Sequence, residues 1–140
     1  MATTTPSGKL HIGLWVAQIL LALLFGMAGA AKLMMPLADL AAQGMSHAVN
    51  LPWPTERLIG LAELLGAIGL VAPAATGIQP KLTGYAALGL VAIMVLAIAY
   101  HVAYGEAPAS VVNVVLGGMA AFVAWGRLVK APIPAKGASA

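Results

Sequence analysis

Residues 59–71 read IGLAELLGAIGLV, and twelve of these thirteen residues are apolar or glycine; the exception is Glu63. The apolarity is continuous rather than alternating, which reads as a helix buried on all sides and not as a half-exposed strand. What buries it follows from the rest of the chain. Of 140 residues, 61% are hydrophobic and only 8% are charged, and the mean hydropathy is +0.96. Soluble domains carry about 25% charged residues, so a chain this poor in charge could not cover a water-facing surface. The solvent is lipid, and Glu63 is a carboxylate inside it.

Three further stretches share this character, and proline, glycine or charge separates them. The expected spans are about 12–35, 56–73, 81–103 and 109–128. Crossing ~30 Å of hydrocarbon takes roughly 17–25 helical residues. Lipid tolerates only helices or closed barrels, because each backbone polar group must be satisfied within the structure. Pro36, Pro73, Pro80 and Pro108 fall at span boundaries, where helix breakers belong. The fold expected is therefore all-α, an integral membrane four-helix bundle with one transmembrane domain over residues 12–128. Tails at 1–11 and 129–140 flank it. Lys9, an apolar run and the stretch MAGAAK resemble a signal peptide, but the run extends beyond both sides of that stretch and exceeds a signal core in length. It is read as a retained span.

Basic residues near span ends set the orientation. Lys9, Lys81, Arg127, Lys130 and Lys136 belong to the tails and the second loop, whereas the other side carries Arg57, with Lys32 just inside the first span. Both termini are expected in the cytoplasm of a bacterial inner membrane, with a longer first loop (about 36–55) and a short third loop (about 104–108) facing outward. PLADLAAQGM (36–45) suits a short interfacial helix, and Trp53 suits the headgroup level. Seven basic residues, scattered along the chain, do not make a nucleic-acid surface. Cysteine is absent, which excludes thiolate nucleophiles, CxxC redox chemistry and cysteine-held clusters in this chain.

Depth can be counted at 1.5 Å per residue. Glu63 lies about 10 Å inside the outer boundary, Lys32 about 6 Å, and His101 and Asn113 about 7 Å each. Each helix thus brings one polar side chain to the outer leaflet. Positions 18, 22, 25, 29 and 32 share a stripe on the first helix; 56, 60, 63, 67 and 70 share one on the second; 113, 117, 120 and 124 share one on the fourth. His101 continues a stripe through Ala97 and Met94 on the third. Small residues beside polar ones mark helix contact faces, so the polar groups are expected to face the bundle interior.

The candidate pocket is Lys32, Glu63, His101 and Asn113, with Arg57 and Glu106 at its edge. Each has a plainer reading: Lys32 snorkels, His101 packs, Asn113 glues helices, Glu56 and Arg57 sit among headgroups, Glu106 belongs to a loop and Gln18 packs. Glu63 is harder to dismiss, since an ionised group at mid-bilayer costs about 2.5–3.5 kcal/mol on insertion scales. Lys32 or Arg57 can pair with it, and the pair could serve only to fix the bundle. No metal-ligand spacing and no Ser–His–acid arrangement is present. Acid–base or hydrogen-bonding chemistry at a lipid-accessible pocket is what remains. A quinone head group or another small amphiphile suits such a site.

FGMAGAAKLMMP (25–36), RLIGLAELLGAIGLVAP (57–73) and HVAYGE (101–106) give the chain a resemblance to the DoxX-like family of small four-helix bacterial membrane proteins. It extends from Trp15 to Arg127. The shared motifs are a G-x-x-K-L ending at Gly29, Lys32 and Leu33, and an E-x-x-G-x-x-G helix at Glu63, Gly66 and Gly69. The resemblance implies a membrane subunit or accessory of a quinone-linked redox assembly, partnered by other membrane or redox subunits, with no cofactor built into the chain and a bound quinone as ligand. Two other roles fit the same residues. One is a quinone-reactive site with His101 and Glu63 in proton transfer and Lys32 on the carbonyl. The other is a carrier or membrane chaperone whose polar cluster binds a substrate.

Overall fold

The computed structural model describes residues 7–138. Six α-helices follow in order: α1 (Gly8–Met34), α2 (Leu37–Ala42), α3 (His47–Asn50), α4 (Thr55–Thr76), α5 (Lys81–Ala103) and α6 (Ser110–Trp125). A 3₁₀ turn (Ala107–Ala109) leads into α6 and a π-helical turn (Gly126–Lys130) extends it. Four segments are long and apolar enough to cross a membrane: α1, α4, α5 and the continuous helical run 107–130. They run up and down, so α2, α3 and the 104–109 turn share one end, the loop end. The Gly77–Pro80 turn shares the other, the termini end, with the start of α1 and the segment after residue 130.

Neighbours in sequence are neighbours in space. α1 packs most extensively on α4, α5 on α6 and α4 on α5, while α6 meets α1 along the least extensive of these seams. The core is a short stack of Leu21, Phe25, Leu70, Leu90, Met94 and Val123 with alanines between them. Outward faces carry exposed Leu, Ile and Val along every long helix, as lipid requires. The expected stripes are the buried ones: Glu56, Gly60, Glu63, Ala67 and Leu70 on α4, and Gln18, Phe25, Gly29 and Lys32 on α1.

Two boundaries and one burial differ from the sequence expectation. α1 starts at Gly8, inside the expected tail, because the Ser7 hydroxyl accepts the Leu10 N–H at 3.3 Å and caps the first turn. α4 does not stop at Pro73 but runs to Thr76 with the proline inside it. Only the last turn lies beyond that proline. Gly77 then closes the helix at φ 68°, donating to the Pro73 carbonyl at 3.0 Å. Arg127, counted with the solvent-side charges, is instead 2% exposed within the bundle.

The close α1–α4 seam has a specific cause. A Cβ on Gly29 would lie 2.6 Å from the Gly60 carbonyl oxygen and 2.8 Å from the Leu64 nitrogen. A Cβ on Gly60 would lie 2.7 Å from Lys32 Cβ and 2.9 Å from the Gly29 oxygen. Backbone therefore meets backbone with no side chain between, one turn from Glu63. Gly29→Ala and Gly60→Ala should each cost about 1–3 kcal/mol, the scale of overpacking, read as a lowered unfolding midpoint in detergent. Gly89→Ala and Gly118→Ala, whose new methyl meets nothing within 4 Å, should leave the midpoint unchanged.

Candidate functional site

Lys32 stands two residues from the end of α1, where the last four carbonyls of any helix lack intrahelical partners. Its backbone and its side chain are both held by α4. The Arg57 guanidinium donates to the Lys32 carbonyl, and Lys32 Nζ reaches Glu63 Oε2 at 2.7 Å. The ion pair is sealed, with side-chain exposures of 8% and 4%. Glu63 thus answers to Lys32 and not to Arg57. A guanidinium on a terminal carbonyl and an ammonium on a buried carboxylate are both charge-assisted contacts. The glycine seam makes them possible by bringing the two helices together.

His101 is buried near the end of α5, and its Nδ1 lies 3.0 Å from Glu106 Oε2. A carboxylate there fixes the proton on Nδ1 and leaves Nε2, which has no partner among the described residues. Asn113 is buried on the first turns of α6, and its amide has no hydrogen-bond partner among the described residues. Glu63 Oε1 likewise receives no protein donor there. These atoms border one polar hollow with two lobes. One, of about 160 Å³, is walled by Ile59 of α4 and by Ile93, Leu96 and Ala97 of α5. The other, of about 250 Å³, lies between Leu24 and Ala28 of α1 and Val112 and Leu116 of α6. Lys32, Glu63, His101, Asn113, Met94 and His47 line both. Leu96 and Val112 are 70% and 60% exposed on the lipid face, so each lobe reaches the helix surface sideways.

Four of the six sequence candidates therefore share a wall, and the other two support it from behind. Arg57 secures α1 and Glu106 secures His101. Residues outside the six sequence candidates complete the site. His47, at the start of α3, donates or accepts at 2.7 Å to Glu56 Oε2, and Glu56 is buried rather than solvated among headgroups. Ser46 donates to Glu106 at 2.9 Å and sits 3.2 Å from the Tyr100 hydroxyl, to which Asn50 donates at 2.8 Å. The His47 ring meets Tyr100 and His101 edge-on, with centroids at 5.7 and 6.3 Å. The first loop is thus a lid tied to α4, α5 and the third loop. The available signal was Glu56 on the Glu63 stripe and Tyr100 beside His101. Neither could identify a partner 54 residues away.

Hydrogen bonds from Ser46 and from His101 hold the Glu106 carboxyl below its ordinary value of 4.5. A depressed carboxylate stabilises the folded form above its unfolded value, and that contribution is lost as pH falls through the folded one. Docking of the first loop should accordingly weaken as pH drops below 4.5. Amide exchange over residues 46–50, corrected for intrinsic rate, should report it. Glu106→Gln should loosen the loop at neutral pH and abolish the acid dependence, whereas Asp39→Asn, on the exposed α2, should change neither.

Comparison with known proteins adds the relationship. No curated protein and no solved structure matches the chain significantly. The profile of the DoxX-like family matches residues 16–123. That span takes in α1 from its third turn, the lid, α4, α5 and α6 almost to its end, with every residue of the polar hollow. With four helices fit to cross a bilayer, the chain is a multi-pass membrane protein, and it belongs to the DoxX-like family.

Proposed function

We propose that the polar hollow binds the head group of a lipid-soluble amphiphile of the quinone class, and that the protein serves as a membrane subunit or accessory of a quinone-linked redox assembly. In this reading the loop end faces outward from a bacterial inner membrane and the termini face the cytoplasm. The observation that carries the proposal is the set of unpartnered polar atoms on one wall: Glu63 Oε1, His101 Nε2 and the Asn113 amide, beside the Lys32 ammonium. Buried polar groups are normally satisfied within a protein. A set left open toward a hollow that reaches lipid is suited to an outside partner.

The residues fit a quinone carbonyl and its hydroquinone hydroxyl. Lys32 Nζ keeps two N–H groups beyond its bond to Glu63, and the Asn113 amide adds donors and an acceptor. Glu63 Oε1 and His101 Nε2 accept from a hydroxyl. His101 is backed by Glu106 at the lid, which gives a proton a route from Nε2 through the ring to the water side. A bound quinone supplies two-electron, two-proton redox chemistry. Met94 and Ile93 offer apolar contact for a ring, and the lateral openings leave room for a tail. Small size, no cysteine and no cofactor motif in the chain support a role alongside a redox partner.

Orientation rests on charge. Lys9, Lys81, Lys130 and Lys136 are exposed at the termini end, while Asp39, Glu56, Glu63 and Glu106 all lie toward the loop end. The positive-inside rule then puts the termini in the cytoplasm. A carrier or membrane-chaperone role would use the same hollow. It is disfavoured because the long helices are unbroken and the polar groups of the other half, Gln18 and Arg127, are buried and line neither lobe of the hollow.

The competing reading is a Lys32–Glu63 bridge that only fixes the helices. Asn113 separates the two, since it contributes no intrachain hydrogen bond. Titration of the purified protein with a short-tailed quinone should show saturable binding. Asn113→Leu should weaken it about tenfold or more, the loss of one or two directed bonds, with an unchanged unfolding midpoint. No saturable binding, or wild-type affinity in Asn113→Leu, would remove the quinone pocket. Lys32→Ala should cost about 3–5 kcal/mol of stability by stranding Glu63, and Lys32→Met with Glu63→Leu should recover most of it. Affinity capture from cross-linked membranes should return a redox enzyme subunit. Consistent recovery of the protein without one would remove the subunit role.

A further inference from the structure

The termini end holds a second polar assembly, unrelated to the hollow. Arg127 lies in the π-helical turn after α6 and is 2% exposed. Its Nε donates to Gln18 Oε1 at 2.6 Å, and its Nη1 donates to the Ala131 carbonyl at 3.3 Å and lies 3.1 Å from His11 Nδ1. Gln18 in turn donates to the Leu70 carbonyl at 2.6 Å. The Trp15 ring lies 5.5 Å from the guanidinium carbon. Nη2 has no hydrogen-bond partner at all among the described residues.

Every one of these partners is a neutral acceptor or a ring. Arginine keeps its charge under all ordinary conditions, and buried charges are paired. The usual partner is an acidic side chain, but all four Asp and Glu residues of the chain lie toward the loop end. Arg127 is a buried cation without a counter-ion from a carboxylate side chain.

It also forms part of the wall of a cavity of about 550 Å³. Lys81 and Lys136 stand on that wall with Gln79, Gly77 and Pro132. The C-terminal segment is pinned there by the Lys136 N–H to the Gly77 carbonyl at 2.8 Å. The first turn of α5, which carries no side-chain cap, begins at the cavity's edge. Helix N-termini favour anions. Three cations and an uncapped helix start, with no acid among the described residues, thus surround one space. Ile78 and Ile133 make another part of it apolar.

We infer that this cavity is an anion site that takes a phosphate group, held by Lys81 and Lys136 with Arg127 as the fixed charge behind them. The volume is within the range of sites for whole small molecules. The apolar wall and the position at a span end suit the phosphate of an anionic phospholipid, since basic pockets at this level bind such headgroups. A free phosphate offers the same chemistry.

The test uses the full-length protein in nanodiscs and in detergent. Native mass spectrometry should show retention of phosphatidylglycerol in preference to phosphatidylcholine. Lys81→Gln with Lys136→Gln should lower that preference about tenfold or more, the scale for removing two interfacial cations. Lys9→Gln with Lys130→Gln, which removes equal charge outside the cavity, should leave it intact. Arg127→Met should also lose it; should that variant fail to fold, the paired lysine variants alone decide. Inorganic phosphate added to lipid-free protein identifies the source. Raised thermal stability together with displacement of the lipid marks a phosphate site open to both, and no effect marks a headgroup site. Equal retention of the two lipids with no effect of inorganic phosphate would overturn the proposal. So would an equal loss of lipid preference in both lysine pairs.

Discussion

Everything at the loop end depends on two helix backbones touching. Gly29 and Gly60 remove the side chains that would hold α1 and α4 apart, and in lipid such contact is a principal source of helix association. Once the backbones meet, Lys32 and Glu63 fall within a salt-bridge distance of 2.7 Å. Arg57 can then reach back to the Lys32 carbonyl. A buried ion pair is a weak contributor to net stability, because desolvation of both charges offsets their attraction. Its strength here is in specification. A slip of one residue along α4 would leave a carboxylate in hydrocarbon with no cation beside it.

The two ends of the bundle solve opposite problems. At the loop end, carboxylates outnumber lysine and arginine, and Glu56, Glu63 and Glu106 are each held by histidine, serine or lysine from α1, the first loop or α5. At the termini end, a single buried cation is wrapped in side chains of α1 and a carbonyl at the start of the tail. The first arrangement leaves hydrogen-bonding atoms facing a hollow that reaches lipid. The second leaves a net positive charge beside a cavity. Separation of sign along the long axis follows from which residues the chain has to spend, and it gives the two cavities different chemical appetites.

The sequence made much of this legible and hid the rest for identifiable reasons. Continuous apolarity marks four helices because lipid imposes the requirement residue by residue. Counting along each helix then sets Lys32, Glu63, His101 and Asn113 at similar depth, because rise per residue is fixed. Facing is equally readable, since small residues flank the polar ones. Loop geometry is not periodic, and most of the hydrogen bonds that fold the lid join residues far apart in sequence, so the bonding partners of His47, Ser46 and Asn50 escaped. Glu56 was legible as a member of the Glu63 stripe but not as a buried partner of His47. Pro73 within α4 and Arg127 inside the bundle escaped for different reasons. Gly77 was a readable stop signal for α4, overridden by reading Pro73 as the helix breaker, whereas the π-helical turn that holds Arg127 inside the bundle has no composition signal.

Lys32 is gripped by α4 at both its ends, carbonyl and ammonium, and that has a mechanical meaning. Rotation or sliding of α1 against α4 would break two charge-assisted contacts at once and drive backbone into backbone. Those helices therefore behave as one rigid arm. α5 and α6 pack closely on each other and form a second arm, while the α1–α6 seam is the least extensive contact of the ring. The hollow lies between the two arms, and the lid is strapped to both, through Glu56 on one and Tyr100 on the other. The soft coordinate of this molecule is the angle between the arms, so the width of the hollow is the dimension in which it yields most easily.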